Sequence, residues 1–296
     1  MPSYRVLQPG QTARIHVHDA VTGEDLVVHE SAEVLFEAPN WTADGLLLNG
    51  EGVLWSLDPE PGATPRRIEH EDLPEINNDH VPAPDGSTVY LSAMDGHVHR
   101  APVIGGPVAR VTSDEGVWHF LHGVSPDGRR LAYVRMASFD EPGRLAVIGA
   151  DGGRSDLVDT GEGHVDGPEW SPDGRWILFN TERWATEPGH AQLARVPDGG
   201  GEVERLVTSG TVDWFPHLAP DGRTAVYLEF PPGTLGHPAD RDVALVVVGT
   251  DDWSAPRERI RLQGGQGTAN VNSWAPDSRR FAYVSYPVGA EAPADR

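Results

Sequence analysis

The chain has 296 residues and a formal net charge of −22, from 45 acidic residues against 23 basic ones, and it contains neither cysteine nor lysine. Nucleic acids and anionic membranes are bound through clustered cations, so this charge balance argues against both as partners. Without cysteine there are no disulfides and no thiol chemistry. Without lysine there is neither a nucleotide-binding phosphate loop nor a pyridoxal phosphate Schiff base.

Two strand-like runs open the chain, from Ala13 to His18 and from Leu26 to His29, with a turn between them. Residues 1–5 before them contain no apolar run of signal-peptide length. The longest apolar run, Val243 to Val248, has the length of a strand rather than of a membrane span. We therefore expect a cytoplasmic protein, or a periplasmic or secreted one if a leader was removed.

A short phrase, usually Pro-Asp-Gly, then recurs six times. Its aspartates are Asp44, Asp85, Asp127, Asp173, Asp221 and Asp277, which are 41, 42, 46, 48 and 56 residues apart. In this phrase Pro fixes φ, Asp accepts a hydrogen bond from the backbone two residues on, and Gly takes a left-handed conformation. An alternating apolar run follows most copies, as in residues 130–134. A turn and a strand at this period predict an all-β, six-bladed β-propeller forming a single domain over residues 1–296.

The chain ends predict how the ring closes. The sixth copy is followed by only one strand, through Tyr286, whereas two strands precede the first copy. We expect these N-terminal strands to complete the last blade, two strands plus two, because this pairs two otherwise exposed edges. The approximate blade limits are then 31–70, 71–112, 113–159, 160–207, 208–263, and 264–286 together with 5–30.

Polar and aromatic residues cluster where each inner strand begins, at the channel end opposite the Pro-Asp-Gly turns. Blade five adds a long loop, residues 231–242, over the same end, and Arg241 in it could clamp a ligand carboxylate. Polar groups converging on a ringed pocket are typical of a ligand site. The predicted ligand-binding residues are Asn40, Asn78, Asp79, Trp118, His119, Trp214, His237, Asp240, Arg241, Gln266 and Asn270.

Four of the residues at this end also suggest metal chemistry. His80 and His122 lie five residues before their repeat aspartates, and Glu169 and His217 lie four before theirs. Imidazole and carboxylate ligands suit a divalent cation such as Mn, Ca or Mg, so these four are predicted metal ligands. Each histidine taken alone also has a structural interpretation, as a hydrogen-bond partner of a neighbouring blade.

Candidate general acids and bases are His80, His122, Asp166 and Glu169. Paired carboxylates, Asp166 with Glu169 or with Asp79, are suited to acid–base chemistry on a glycosidic bond. The sequence does not give the separations between these groups.

The recurring phrase resembles the WD40-like Pro-Asp-Gly repeat of TolB-type six-bladed propellers, over roughly residues 13–286. The TolB protein proper is a periplasmic partner of an outer-membrane lipoprotein and carries an N-terminal α/β domain without a counterpart here. Six segments are similar to those of a stand-alone bacterial TolB-like subfamily: 77–80, 118–119, 166–169, 214–217, 236–238 and 264–268. Oligogalacturonate lyases share this propeller type. That similarity implies a Mn-type cation held by His and Gln beside a separate base, with His217 and Gln266 as the corresponding residues.

Three functions are consistent with the sequence. The first is a carbohydrate-active lyase or hydrolase that uses a divalent cation. The second is a non-catalytic binder of a carbohydrate or another small polar ligand at the same mouth. The third is a TolB-type interaction scaffold with a protein partner. The sequence does not decide between an enzyme and a binder.

Overall fold

The computed structural model describes residues 4–289, in which every regular element is a β-strand. Six sheets surround a central channel, which confirms the predicted all-β, six-bladed propeller. In this described part of the chain, no helix is long and apolar enough to cross a membrane.

The first strands in the chain are β1 (Ala13–Asp19) and β2 (Asp25–Ser31). Blade 1 consists of β3 (Glu37–Thr42), β4 (Gly45–Gly50), β5 (Val53–Leu57) and β6 (Arg66–Ile68). A short strand, β7 (His70–Glu71), follows blade 1. Blade 2 consists of β8 (Ile76–Pro82), β9 (Thr88–Ala93), β10 (Val98–Pro102) and β12 (Ala109–Arg110). Between β10 and β12 in the chain, β11 (Gly106–Pro107) pairs in parallel with β7 and links blade 2 to blade 1.

Blade 3 consists of β13 (Trp118–Val124), β14 (Arg130–Met136), β15 (Arg144–Gly149) and β16 (Asp156–Leu157). Blade 4 consists of β17 (Val165–Trp170), β18 (Trp176–Thr181), β19 (Gln192–Pro197) and β20 (Glu204–Arg205). Blade 5 consists of β21 (Val212–Leu218), β22 (Thr224–Phe230), β23 (Arg241–Gly249) and β24 (Asp252–Gly264). The last strand is β25 (Arg280–Ser285).

The turns between first and second strands have the chemistry expected of the repeated phrase. The Ser125 hydroxyl donates to Asp127 Oδ1 at 2.6 Å, and the same oxygen accepts the Arg129 N–H at 3.1 Å. Gly128 has a φ of 71°, and Ser278, which replaces glycine in the sixth copy, adopts a φ of 57°. The turn geometry therefore survives the substitution, at the cost of a left-handed non-glycine residue.

The N-terminal strands close the ring, as predicted. Strand β1 lies between β25 and β2, antiparallel to both, with Arg14 opposite Ser285 and Asp19 opposite Arg280. The described residues of this blade therefore contain three regular strands, of which two come from the N-terminus. Closure pairs the edges of the first and last elements, which would otherwise be open to solvent.

The innermost position of the closing blade is irregular where a fourth strand was expected. The pairing there consists of a single bridge between Trp274 and Phe281 and one further backbone hydrogen bond, from Val284 N to the Thr268 carbonyl. Side chains in this segment bond to nearby backbone instead: Thr268 Oγ1 accepts from Gly265 N, and Asn270 Oδ1 from Gly267 N. Such local bonds compete with a sheet ladder. The segment is therefore a series of turns that presents polar side chains to the channel.

The core lies between the blades. Tyr90 of blade 2 shares a hydrophobic cluster with Leu131 and Tyr133 of blade 3, and Leu178 of blade 4 shares one with Val246 of blade 5. The tryptophans three residues before the repeat aspartates belong to such clusters: Trp41, Trp170 and Trp274. Stability of the ring therefore comes from contacts between blades, which leaves the channel side chains free for other roles.

Candidate functional site

Each inner strand of blades 1 to 5 is interrupted by a register shift within the strand. In three blades the interruption has one local cause, a residue with positive φ followed by proline. These residues are Ala38 (φ 49°), Gly167 (φ 61°) and Phe215 (φ 55°). Proline has no N–H to give to the ladder, so the strand bulges at this point.

The bulges divide the polar residues of the channel into two groups. Asp166 and Trp214 lie before their bulges, His122 lies within its own, and all three line the mouth opposite the Pro-Asp-Gly turns. Residues after a bulge, such as Glu169 and His217, lie deeper, on the turn side. One short strand segment thus supplies side chains both to the mouth and to the deeper channel, because a bulge changes which face of the strand the following side chains occupy.

A cavity of about 570 Å³ occupies the mouth, and we call it the mouth cavity. This volume suits a small-molecule ligand. It lies over the inner strands and beneath loops that join second to third strands, including residues 139–142 and 236–237. Nine of the predicted site residues line it: Asn78, Asp79, Trp118, His122, Asp166, Trp214, His237, Gln266 and Asn270.

His122 and Asp166 form the central ion pair of the cavity. Their Nε2 and Oδ1 atoms are 2.9 Å apart, and both side chains are buried. The second imidazole nitrogen, Nδ1, donates to the carbonyl oxygen of Asn270 at 3.1 Å. Burial alone would lower the pKa of His122, but the carboxylates of Asp79 and Asp166 outweigh it and raise the pKa to about 9. At neutral pH His122 is therefore a fixed positive charge.

Asp166 is surrounded by imidazoles. His164 Nε2 and His237 Nε2 both lie 3.6 Å from its Oδ2, opposite the contact with His122. Burial opposes ionisation of Asp166, but the hydrogen bond from His122 and the nearby imidazoles of His164 and His237 hold its pKa well below the usual range. Burial disfavours protonation of His164, but Asp166 raises the pKa of His164 above its usual value. The Gly143 N–H donates to His164 Nδ1 at 2.9 Å, so this nitrogen carries no hydrogen. The neutral tautomer with hydrogen on Nε2 satisfies both neighbours.

Asp79 is the second carboxylate of the cavity and is less well satisfied. Asn77 Nδ2 donates to its Oδ2 at 3.2 Å, while Oδ1 is 3.9 Å from His122 Nε2, beyond hydrogen-bonding distance. Burial and the nearby negative charge of Asp166 raise the pKa of Asp79 to about 6, against the opposing effect of His122. The cavity therefore holds one carboxylate that stays ionised and one that gains a proton in mild acid.

An aromatic wall faces these polar groups. Trp118 and Phe120 are nearly parallel, at 5° and 6.0 Å between ring centroids, and Phe139 tilts over them at 5.3 Å from Trp118. Phe139 is 70% exposed. A large apolar side chain left this exposed at a cavity rim offers contact area to a ligand.

Four predicted site residues lie outside the mouth cavity, deeper in the channel. His217 Nδ1 contacts Glu169 Oε2 at 2.6 Å, and its Nε2 donates to the Ala269 carbonyl at 3.0 Å. His80 Nδ1 hydrogen-bonds to the side-chain oxygen of Asn40. Burial lowers the pKa of His80 to about 3, so it is neutral at physiological pH. These residues join neighbouring blades.

Three more predicted residues serve other contacts. His119 Nδ1 donates to the Gly96 carbonyl at 2.5 Å, which holds the ring away from the cavity. Asp240 pairs with Arg5 at 3.2 Å near the N-terminal segment. Arg241 is exposed at the start of β23, in register with Gly264. None of these three lies among the described residues that line the mouth cavity.

The predicted metal ligands do not fit a divalent cation in this arrangement. Of His80, His122, His217 and Glu169, one lines the cavity, and His217 already uses both of its nitrogens. Within residues 4–289, no group of three or more His, Cys, Asp or Glu is placed to hold a metal ion. The four predicted ligands are instead divided among separate pairs within the described residues, His80 with Asn40, His217 with Glu169 and His122 with Asp166.

Some cavity residues were not predicted from the sequence as site residues. They are Asn77, Met94, Phe120, Met136, Phe139, Asp140, Glu141, Pro142, His164, Glu182 and Gly236. The loop that contains Phe139 and two acids lies between the second and third strands of blade 3, the same position as the long loop of blade 5. That equivalence is the signal in the sequence that points to the blade 3 loop.

The fold and the site define a six-bladed propeller with a polar and aromatic cavity at one mouth of its channel. No protein-family model matches the chain. An uncharacterized protein of Agrobacterium fabrum strain C58, Atu1656, is 36% identical over 288 residues, which are 94% of this chain and 94% of that protein. A solved structure from Agrobacterium tumefaciens, provisionally described as TolB, has a TM-score of 0.85 and 34% identity, and covers 94% of this chain and 99% of that one. The chain therefore belongs to the TolB-like propeller family.

An oligogalacturonate lyase solved in complex with manganese is a more distant neighbour. It has a TM-score of 0.55 and 14% identity, over 89% of this chain and 76% of that one. At this identity the likeness shows a shared fold alone.

Proposed function

We propose that this protein binds a small polyhydroxylated ligand, of the size of a mono- or disaccharide, in the mouth cavity. The observation that carries the proposal is the cavity itself, about 570 Å³ with an aromatic wall on one side and amide and charged groups on the other. A sugar ring has an apolar face that stacks on aromatic side chains and hydroxyls that exchange hydrogen bonds with amides. Asn78, Gln266 and Asn270 supply those amides.

Binding of this ligand requires no divalent cation. Its polar recognition depends on His122, whose charge is fixed by Asp166, and on Asp79. Both nitrogens of His122 are already paired with Asp166 and the Asn270 carbonyl, so a ligand hydroxyl can donate to Asp79 and accept from a side-chain amide of the cavity, without a metal.

Calorimetric titration with a panel of neutral mono- and disaccharides tests the proposal. Replacing Trp118 by alanine is expected to weaken binding about tenfold, because stacking area at the wall is lost. The matched control is Trp176→Ala: that ring lies near a Pro-Asp-Gly turn, under Arg195 at 4.1 Å, and the substitution is expected to leave affinity unchanged. If no saccharide binds, or if the two variants behave alike, the proposal fails.

Proton transfer on the bound ligand is a second candidate function, and one observation favours it. Asp79 has a pKa raised to about 6 by burial and by Asp166, and it faces an imidazolium 3.9 Å away. A carboxylate of this kind can accept a proton near neutral pH, while a fixed cation stabilises negative charge formed on the ligand. Incubation with neutral oligosaccharides and oligouronates, followed by assay for new reducing ends and for unsaturated products, tests this function. Asp79→Asn should abolish any turnover, and absence of turnover leaves binding alone.

The interaction-scaffold function, with a protein partner, is less well supported by the surface. The most exposed large apolar residues of the described chain are distributed over four blades, with Phe139 and Leu157 in blade 3 and Val21, Ile104 and Leu235 each in another blade. Phe139 belongs to the mouth cavity. A rim-binding partner would need such residues gathered in one patch.

A further inference from the structure

We propose that the ligand of the mouth cavity carries a protonated amine, which Asp79 receives while Trp118, Phe120 and Phe139 hold the apolar face of the ligand. This inference rests on the proposed function and narrows it, from polyhydroxylated ligands in general to cationic ones such as amino sugars.

The charges around the cavity favour a cation over an anion. Its ionisable lining consists of five carboxylic acids and three histidines: Asp79, Asp140, Glu141, Asp166, Glu182, His122, His164 and His237. No arginine is present among the described lining residues, and the chain contains no lysine. A uronate would therefore meet carboxylates without the guanidinium that usually pairs with them. The net charge of −22 adds to the attraction of cations.

Asp79 is the group that an amine would complete. Its side chain is 6% exposed, yet within residues 4–289 its carboxylate receives a single side-chain hydrogen bond, from Asn77. Asp166, in contrast, is enclosed by His122, His164 and His237. A buried carboxylate with an unfilled oxygen is costly, and an ammonium group supplies a charge-assisted donor for it.

The aromatic wall suits the same ligand. Phe139 is followed directly by Asp140 and Glu141 in the loop over the cavity, so an exposed ring and two acids approach the ligand together. A cation over an aromatic face is attracted by the ring quadrupole, and the effect grows as water is excluded. Trp214 lines the same cavity and is 1% exposed, and within residues 4–289 its indole N–H has no hydrogen-bond partner. A ligand that also carries a hydroxyl or ether oxygen would satisfy it.

Two matched series of ligands separate charge from scaffold. The first is glucosamine, glucose and glucuronate, and the second is benzylamine, benzyl alcohol and benzoate. In calorimetric titration near pH 7.5 and at low salt, we expect the amine of each series to bind at least about tenfold more tightly than the neutral member, as one charge-assisted hydrogen bond would give. The carboxylates should bind most weakly.

Two variants locate the effect. Asp79→Asn should reduce the preference for amine over neutral ligand to within about threefold, because it removes the charge but keeps the shape. Asp151→Asn is the control: this carboxylate is 92% exposed, pairs with Arg100 away from the mouth, and should leave the preference intact. The comparison among wild-type affinities stands even if Asp79→Asn folds poorly.

The outcomes distinguish this inference from the proposed function. Equal binding of glucosamine and glucose, or tighter binding of glucuronate, overturns the cationic ligand and leaves saccharide binding in place. If benzylamine binds and no sugar binds detectably, the cationic ligand is supported and saccharide binding is overturned. If no ligand of either series binds detectably, both the cationic ligand and saccharide binding are overturned.

Discussion

Two histidine–carboxylate clusters in this propeller contain the same residue types but differ in how completely their polar atoms are paired. The mouth cluster consists of Asp79, His122, His164, Asp166 and His237. The closing cluster, at the seam where the N-terminal strands meet β25 and blade 5, consists of His16, His18, Asp25, Glu258 and Tyr283. Residue type alone therefore does not separate a ligand site from a structural contact.

In the closing cluster Asp25 Oδ2 and His18 Nε2 are paired from within, whereas His18 Nδ1 lies 3.7 Å from Asp25 Oδ1, beyond hydrogen-bonding distance. Asp25 Oδ2 accepts from Tyr283 Oη at 2.8 Å and from His16 Nδ1 at 3.1 Å. The rings of His16 and Tyr283 are stacked at 4.4 Å, and His18 Nε2 contacts Glu258 at 3.0 Å. These bonds join strands from both chain ends to blade 5, so the cluster stabilises the closed ring.

The mouth cluster has the same kind of central pair, His122 with Asp166, but also the under-coordinated Asp79 and a cavity beside it. The difference teaches that unfilled bonding capacity next to open space, rather than the presence of histidine and aspartate, marks the site. Substitutions of Asp166, Asp25 and Asp79 should show this difference directly.

Asp166→Ala should have the largest effect on stability. It leaves the His122 imidazolium buried without its counter-charge, so we expect the free energy of unfolding to fall by about 3–5 kcal/mol near pH 7. Urea denaturation measures the change. Asp140→Ala, at the cavity rim, is the control and should cost less than about 0.5 kcal/mol. A loss below about 1 kcal/mol for Asp166→Ala would mean that the pair is not the centre of the cluster.

Asp25→Ala should have a smaller effect, because its side chain is 34% exposed. Removal of the acceptor for Tyr283 and His16 is expected to cost about 1–2 kcal/mol at pH 5.5, with ligand binding unchanged. The matched control, Asp58→Ala, breaks an exposed pair with Arg66 and should cost less than about 0.5 kcal/mol.

The stability contributed by the closing cluster should also depend on pH. Despite burial, the hydrogen bond from His16 and the nearby His18 imidazole lower the pKa of Asp25 from 3.8, so its contribution is present above pH 3.8 and is lost in stronger acid. Despite burial, Asp25 and Glu258 raise the pKa of His18 from 6.5, so its contribution is complete below pH 6.5 and is lost as pH rises through the folded-state value. The cost of Asp25→Ala should therefore be largest between pH 3.8 and 6.5, and a cost that grows steadily above that range would contradict this assignment.

The fold was predictable because the repeat acts locally and often. Six turn phrases, each with its own hydrogen bonds such as those of Asp127, fix the number of blades, and the strand surplus at the N-terminus fixes the closure. The irregular inner segment of the closing blade was not predicted. Its Thr268 and Asn270 side chains bond to backbone, and this competition with the ladder leaves no hydrophobic pattern to read.

The site was predictable only to the level of the channel end. Counting back from the repeat aspartate groups Glu169 with His217 correctly, and the two are in contact. It does not reveal that a bulge lies between Asp166 and Glu169 and turns one to the cavity and the other to the deeper channel. Phe139 was missed because its approach to Trp118 depends on how a hairpin loop folds over the blade.

The smallest effect on stability, and the opposite sign, is expected for Asp79→Asn. Burial and Asp166 raise the pKa of Asp79 from 3.8 to about 6, so the folded state holds this proton more tightly than the unfolded chain does. Wild-type stability should therefore decline as pH rises from about 4 to about 6 and stay lowered above that range. An amide carries no charge to bury, so the variant should lack this decline and be about 1 kcal/mol more stable than wild type at pH 7.5, since part of the gain is offset by the lost attraction to His122. Thermal and urea unfolding of both proteins between pH 4 and 8 measure the difference. If the variant were instead less stable at pH 7.5, Asp79 would be a stabilising group like Asp25, and its carboxylate would have no spare capacity for a ligand.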